Sequence, residues 1–271
     1  MLKFIFKDKT TVYYSKAGSG FPVILLHGFG EDHRIWNQCA EALKKRYLLL
    51  LPDIPGSGKS SLLNNNFSDV SIETYADVVF ELLVHEHINQ CILLGHSMGG
   101  YITLAFAKKY PQKLAGFGLI NSTAYADGNT QLEKRKKSIE IIQAYGPHAF
   151  LQQVLPALFA ENFRETHKPF MEKYLADSKS FQGEALIQYY RAMMQRPDHT
   201  RVLQESKVPV LFVSGTDDAA APLNDLLKQM YMPDISYIHI LENGGHKSMF
   251  EAPEKLHAFI GDFIEGSISK D

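Results

Sequence analysis

The run Gly95-His96-Ser97-Met98-Gly99-Gly100 sets one serine among glycines. It follows the apolar stretch Cys91-Ile92-Leu93-Leu94, short enough to read as a buried strand. After it, Ile102, Leu104, Ala105, Phe106 and Ala107 make a helical pattern that ends at Lys108, Lys109 and Pro111. Ser97 therefore belongs on a sharp strand-to-helix turn, where glycines relieve backbone crowding. Such a turn lifts the hydroxyl above the sheet edge. It also aims the first N–H groups of the helix at the place where a developing negative charge would sit. A hydroxyl attacks an ester only with a base in reach, and the base needs a carboxylate to hold its tautomer. A plain turn serine is the bland alternative, and it fails only if such partners occur elsewhere.

Candidate partners lie at the ends of other apolar runs. Val23-Ile24-Leu25-Leu26 leads into His27-Gly28-Phe29-Gly30. Val210-Leu211-Phe212-Val213 leads, through Ser214-Gly215-Thr216, into Asp217-Asp218. A last strand, residues 235–241, leads into Glu242-Asn243-Gly244-Gly245-His246. Continuous apolar runs suit strands buried on both faces, as in a parallel sheet. Leu48-Leu49-Leu50-Leu51 and Phe117-Gly118-Leu119-Ile120-Asn121 are further such runs. Helical stripes separate them: from a cap at Asp32 to about Lys45, from Ile72 to Val84, and after Ser97. Residues 2–7 and 10–16, joined by Asp8-Lys9, read as an edge hairpin. Leu223 to Tyr231 and the stretch opened by Pro253 read as the last helices. The fold class is α/β, a mostly parallel central sheet with helices on both faces. In such a sheet the strand ends meet on one side, where ligands bind.

The alternation stops at about Tyr125, and no strand candidate occurs before about Lys207. Four helices fit there, over 131–144, 147–160, 166–177 and 181–195. We read 125–207 as an inserted helical cap on a core made of 1–124 and 208–271. The cap is rich in Phe150, Phe159, Phe163, Tyr189, Tyr190, Met193 and Met194. Most should pack cap against core. Phe159, Tyr190 and Met194 are the candidates for an apolar acyl pocket, which implies a preference for uncharged acyl groups.

Other features are weaker. Gly56-Ser57-Gly58-Lys59-Ser60 suggests a phosphate loop, but the required first glycine is Asp53. His85 and His87 at a helix end are spaced i, i+2 and point apart, so they read as a solvated end. Cys39 and Cys91 make no disulfide framework. The run Glu133-Lys134-Arg135-Lys136-Lys137 reads as a solvated helix face, or as a dock for an acidic substrate or an acyl-carrier-type partner. A net charge of −2 over 271 residues gives no reason to expect nucleic acid. No apolar run approaches the ~18 residues of a membrane span, and the apolar start is too short for a signal peptide. A cytoplasmic location is the default.

With Ser97, Asp217-Asp218 and His246 in that order, the sequence closely resembles the α/β-hydrolase superfamily. The resemblance covers nearly the whole chain. It includes His27-Gly28-Phe29-Gly30, the Asp53-x-x-Gly56-x-Gly58-x-Ser60 loop, the Ser97 turn, Gly215-x-x-Asp218 and Gly245-His246. It implies a triad of Ser97, His246 and Asp218, with the acid three residues after Gly215, and Asp217 left as a loop carboxylate. It implies oxyanion donors in the backbone N–H groups of Phe29 and Met98, and supporting roles for His27 and His96. It also implies no cofactor and no metal. The expected activity is serine hydrolysis of a small to medium carboxylic ester or lactone. A C–C bond or enol-lactone hydrolase is the alternative, although those C–C hydrolases usually carry asparagine where this chain has His96. A hydrolase-fold ligand-binding protein with negligible turnover is the second alternative.

Overall fold

The computed structural model describes residues 1–7, 9–63 and 70–269. Eight strands form one sheet: β1 (Leu2–Phe6), β2 (Thr10–Ala17), β3 (Phe21–Leu26), β4 (Tyr47–Pro52), β5 (Cys91–His96), β6 (Leu114–Ile120), β7 (Val210–Gly215) and β8 (Ser236–Leu241). Their order is β1-β2-β4-β3-β5-β6-β7-β8. β1, β2 and β4 pair antiparallel, and every other pair is parallel. Asp8, in the expected link of the edge hairpin, lies outside the described residues.

Helices α1 (Asn37–Leu43), α2 (Ile72–His85) and α3 (Met98–Lys109) alternate with the first strands. Between β6 and β7 come α4 (Asn129–Val154), α5 (Glu161–Thr166), α6 (Lys168–Asp177), α7 (Gly183–Gln195) and α8 (Thr200–Gln204). α9 (Leu223–Gln229), α10 (Ser248–Glu251) and α11 (Pro253–Ile268) complete the chain. None of the described helices is long and apolar enough to cross a membrane.

The doubly buried runs fold as their pattern dictates. Successive side chains of a strand point to opposite faces. Val23 and Leu25 of β3 join Trp36, Cys39, Leu43 and Phe263 on one side of the sheet. Ile24 and Leu26 join Tyr75, Val79, Ile102 and Phe106 on the other. Parallel register then aligns the strand ends. Leu26 pairs with Gly95, His96 with Ile120, and Gly215 with Leu241, so the four loops carrying the candidate groups leave the same edge.

Between β6 and β7 the helices depart from the expected bounds. The expected break between 144 and 147 is present, since Gly146, with φ 84° and ψ 163°, is non-helical and two helical pieces meet there under the single label α4. The next helix stops at Val154 rather than 160. Pro156 opens a short 3-10 turn instead, because proline cannot donate to the helix ladder. α5 was not expected: its six residues bury no side chain and so leave no apolar stripe. α8, also unanticipated, is only five residues long. After Asp32 the chain forms a 3-10 turn over His33–Trp36 before α1, with the Asp32 carboxylate accepting from the Arg34 amide. The end of α2 is not wholly solvated, since Glu86 accepts from the Tyr14 hydroxyl and from Lys16.

Leu93, fully buried in the middle of β5, tests the packing. Leu93→Ala should lower the unfolding free energy by about 2–5 kcal/mol in a urea titration. A loss below about 1 kcal/mol would contradict a close-packed sheet interior.

Candidate active site

Ser97 is the one residue between β5 and α3, with φ 52° and ψ −117°. A serine at positive φ is strained, and close backbone approach holds it there. A Cβ on Gly95 would lie 2.1 Å from the Gly99 carbonyl oxygen, and one on Gly99 2.7 Å from those of Leu26 and His27. The Ser97 amide donates to the Ile120 carbonyl at 3.0 Å, and Ser122 Oγ donates to the Ser97 carbonyl at 2.8 Å. Among the described residues the backbone N–H groups of Phe29 and Met98 donate to no other group.

His246 and Asp218 come together from loops after β8 and β7. His246 Nδ1 lies 2.9 Å from both carboxylate oxygens of Asp218. A carboxylate only accepts, so Nδ1 carries a proton, and in the neutral ring this tautomer leaves the lone pair on Nε2. Asp218 also accepts from the amides of Ala220 and Ala221 at 2.9 and 2.8 Å and from Asn121 Nδ2 at 2.9 Å. Burial pushes its carboxyl up. The imidazole and these donors pull harder, and it titrates below its ordinary 3.8. Asp217 is exposed. Its carboxylate accepts from Thr216 Oγ1 at 2.9 Å. The Ser97 hydroxyl has no hydrogen-bond partner among the described residues.

His27 and His96 are fully buried. His27 Nε2 accepts from the Ile54 amide at 2.9 Å, which leaves Nδ1–H to donate to the Gly28 carbonyl at 2.9 Å. Burial lowers its pKa and favours this neutral form. His96 Nδ1 meets Glu31 Oε2 at 2.8 Å and its Nε2 meets the His246 carbonyl at 2.8 Å. Both contacts are strongest with a protonated ring; burial opposes that, and the net shift is downward. Glu31 also pairs with the Lys247 ammonium, and both are buried. Burial raises the Glu31 carboxyl, but His96 and Lys247 hold it well below its ordinary 4.5. Burial lowers Lys247, but Glu31 more than offsets this and its pKa lies above 10.5.

The false phosphate loop folds around Asp53, which accepts from the amides of His33 and Lys59, each at 3.0 Å. Asp32, His33 and Asp53 place ligand-type atoms within 4.8 Å of one another. Asp32 is already bound along the edge of the Arg34 guanidinium, and Asp53 by those amides, so the cluster serves the loop. Tyr190 stacks on Phe29 at 4.3 Å between ring centroids. Phe159 is buried in an aromatic group with Phe163, Phe170, Tyr174 and Phe250. Met194 is half-buried on α7. A cavity of about 330 Å³ opens between Gly30, Ile35, Leu155, Phe170 and Phe181. Phe159, Tyr190 and Met194 do not line it, nor do Ser97 and His246. Arg135 departs from the solvated face expected of its charge run. It is buried and bonds Asp127 through Nε at 2.6 Å, and Arg196 holds the other oxygen of Asp127 at 2.8 Å.

Sequence reading missed Asn121, Glu31 and Lys247. Asn121 donates to Asp218 and to the Gly245 carbonyl, and accepts from Ser248 Oγ. Its polar side chain at the end of an apolar run was the available signal. Asp218→Asn should cut kcat by about 10⁴, the scale of losing the orienting acid in a serine protease, and Asp217→Asn by about tenfold or less. A larger loss for Asp217→Asn in folded protein would reverse the assignment. The Glu31–Lys247 pair gives a pH prediction. The depressed carboxyl contributes stability above pH 4.5 that is lost as pH falls. The raised ammonium contributes stability below pH 10.5 that is lost as pH rises through its folded value. Melting curves of Glu31→Leu/Lys247→Met should therefore fall less steeply than wild type at both extremes; parallel curves would remove the pair from the pH response.

A thermophilic esterase from Thermogutta terrifontis, solved with malate bound, superimposes with a TM-score of 0.91 at 27% identity, covering 98% of this chain and 97% of that one. An enol-lactonase from Burkholderia xenovorans shares the fold, with a TM-score of 0.86, 22% identity and 94% and 96% of the two chains covered. By sequence, an (E)-2-((N-methylformamido)methylene)succinate hydrolase of Acinetobacter baylyi is 23% identical over 95% of each chain. A 2-hydroxy-6-oxo-6-phenylhexa-2,4-dienoate hydrolase of Comamonas testosteroni is 25% identical over 93% of this chain and 91% of its own. The model of the alpha/beta hydrolase family matches residues 23–259, and the chain belongs to that family.

Proposed function

We propose that this protein is a serine hydrolase that cleaves a small to medium carboxylic ester or lactone through an acyl-enzyme on Ser97. The observation that carries the reading is His246, its Nδ1 held at 2.9 Å by both oxygens of Asp218, which leaves Nε2 as the base. In this mechanism His246 Nε2 takes the Ser97 proton as the oxygen attacks the carbonyl carbon. The tetrahedral oxyanion is received by the N–H groups of Phe29 and Met98. Asp218 stabilises the imidazolium, which then protonates the leaving alkoxide. Water, deprotonated by His246, attacks the acyl-enzyme and frees Ser97.

The segment 125–207 acts here as a cap over the core of 1–124 and 208–271. Tyr190, stacked on Phe29, is the cap residue we assign to the apolar acyl contact, with Phe159 and Met194 beside it in that reading, although none of the three lines the cavity of about 330 Å³. The esterase from Thermogutta terrifontis supports the ester reading. The names of the two sequence relatives support a second one, hydrolysis of a dienoate or substituted succinate by the same groups. Assays on p-nitrophenyl esters of graded acyl length should show sustained turnover that Ser97→Ala abolishes, with a fluorophosphonate probe attached to Ser97 alone. Labelling that survives in Ser97→Ala would overturn the assignment. A single burst without turnover would favour a binding protein.

A further inference from the structure

Three loops of the site converge on one buried carboxylate. Glu31 Oε2 accepts from the Gly28 amide at 2.8 Å and from His96 Nδ1 at 2.8 Å, and Oε1 accepts from Lys247. Gly28 precedes Phe29, His96 precedes Ser97, and Lys247 follows His246. His96 reaches the third loop as well: its Nε2 lies 2.8 Å from the carbonyl of His246 itself, a contact that becomes a donated hydrogen bond when the ring is protonated. Gly28 is thus held on both sides: its own amide donates to Glu31, and its carbonyl, in the peptide that carries the Phe29 N–H, accepts from His27. The three groups crowd one point. A Cβ on Gly28 would stand 2.8 Å from Glu31 Oε2, 2.9 Å from His96 Nδ1 and 3.0 Å from Ser97 Cβ.

We propose that Glu31, acting through His96 and Lys247, is a positioning residue that locks the oxyanion loop to the nucleophile and the base. Stability alone is a poor account of it, because a buried ion pair is often replaced by apolar residues at no cost. Placement is a better one. Oxyanion donors act only when aimed at the oxyanion before it forms, and here the same carboxylate sets the Phe29 amide and the backbone of the base.

The proposal rests on the ester-hydrolase reading of Ser97, and the test separates the two. Glu31→Leu/Lys247→Met removes both charges together and leaves no lone ion buried. In the folded double variant, kcat and the rate of fluorophosphonate attachment to Ser97 should fall about 10- to 100-fold, part of the 10²–10³ lost with a whole oxyanion donor. KM should move less than about threefold, because ground-state binding is untouched. Glu31→Gln/Lys247→Met, which still offers an oxygen to Gly28 and leaves no ammonium unpaired, should recover part of the labelling rate, and it stands as the test if the first double variant does not fold. Hydrogen exchange at the Gly28 amide gives a readout independent of turnover and should quicken about tenfold or more as its bond to Glu31 is lost. If wild type is labelled but hydrolyses no ester, the functional reading fails while the labelling rates still judge Glu31. If it is not labelled either, the exchange rate judges it. Folded variants that keep wild-type kcat, labelling rate and Gly28 exchange would overturn the proposal.

Discussion

The chain has to pass from β5 to α3 through a single residue, and the rest of the site follows from that constraint. Ser97 can hold φ 52° only because its surroundings over-determine it; such a conformation costs of order 1–3 kcal/mol. Gly95 and Gly99 let backbone approach backbone where a methyl group would collide with carbonyl oxygens. Ile120 and Ser122, from the end of β6 and the residues after it, hold the Ser97 peptide groups from the side. The turn leaves Ser97 half-buried and the Met98 amide without an acceptor among the described residues.

Around the turn, buried charges are not left single. Asp218 is surrounded by four donor groups, from His246, Asn121, Ala220 and Ala221. Glu31 has three, from Gly28, His96 and Lys247. Glu251 accepts from the amides of Gly245, Lys247 and Ala160, which ties the histidine loop to the α4–α8 segment. An unpaired ion at this depth would be expensive, so each of these groups is also a constraint on the loop that supplies its partner. His246 gains a further tether, since its amide donates to the Leu158 carbonyl at 2.8 Å.

Aromatic packing completes the wall over the loops. Phe29 lies against Phe150, Tyr189 and Tyr190, and the Tyr189 hydroxyl donates to the Pro55 carbonyl at 2.8 Å. Behind them, Arg135 and Arg196 share the single carboxylate of Asp127 and lie over the rings of Tyr190 and Tyr101. Arginine suits such a place, because its flat guanidinium stacks on rings while its edge bonds carboxylates and carbonyls. The α4–α8 segment is thereby joined to α3 and to the loop of Phe29 by directional contacts as well as by apolar area.

Local pattern determined the sheet. Val23–Leu26, Leu48–Leu51, Leu93–Leu94 and Val210–Val213 are apolar on both faces and can only be interior strands, and the helical stripes between them impose parallel crossovers. The Ser97 turn, the His27 loop and the His246 loop were legible for the same reason, since glycine and polar residues end apolar runs. The choice between Asp217 and Asp218 came from a family pattern; in the fold Asp217 is exposed and Asp218 is buried against the His246 imidazole. Elsewhere the partners were too far apart in the chain to be read. Glu31 meets His96 across 65 positions and Lys247 across 216, and Asn121 meets Asp218 across 97. Arg135 looked solvated because its neighbours are charged, and only the packing of α4 against α7 and Asp127 puts it inside. Periodicity reports which face of an element is buried. Which distant charge waits on that face depends on strand order and register, and those exist only in the folded chain.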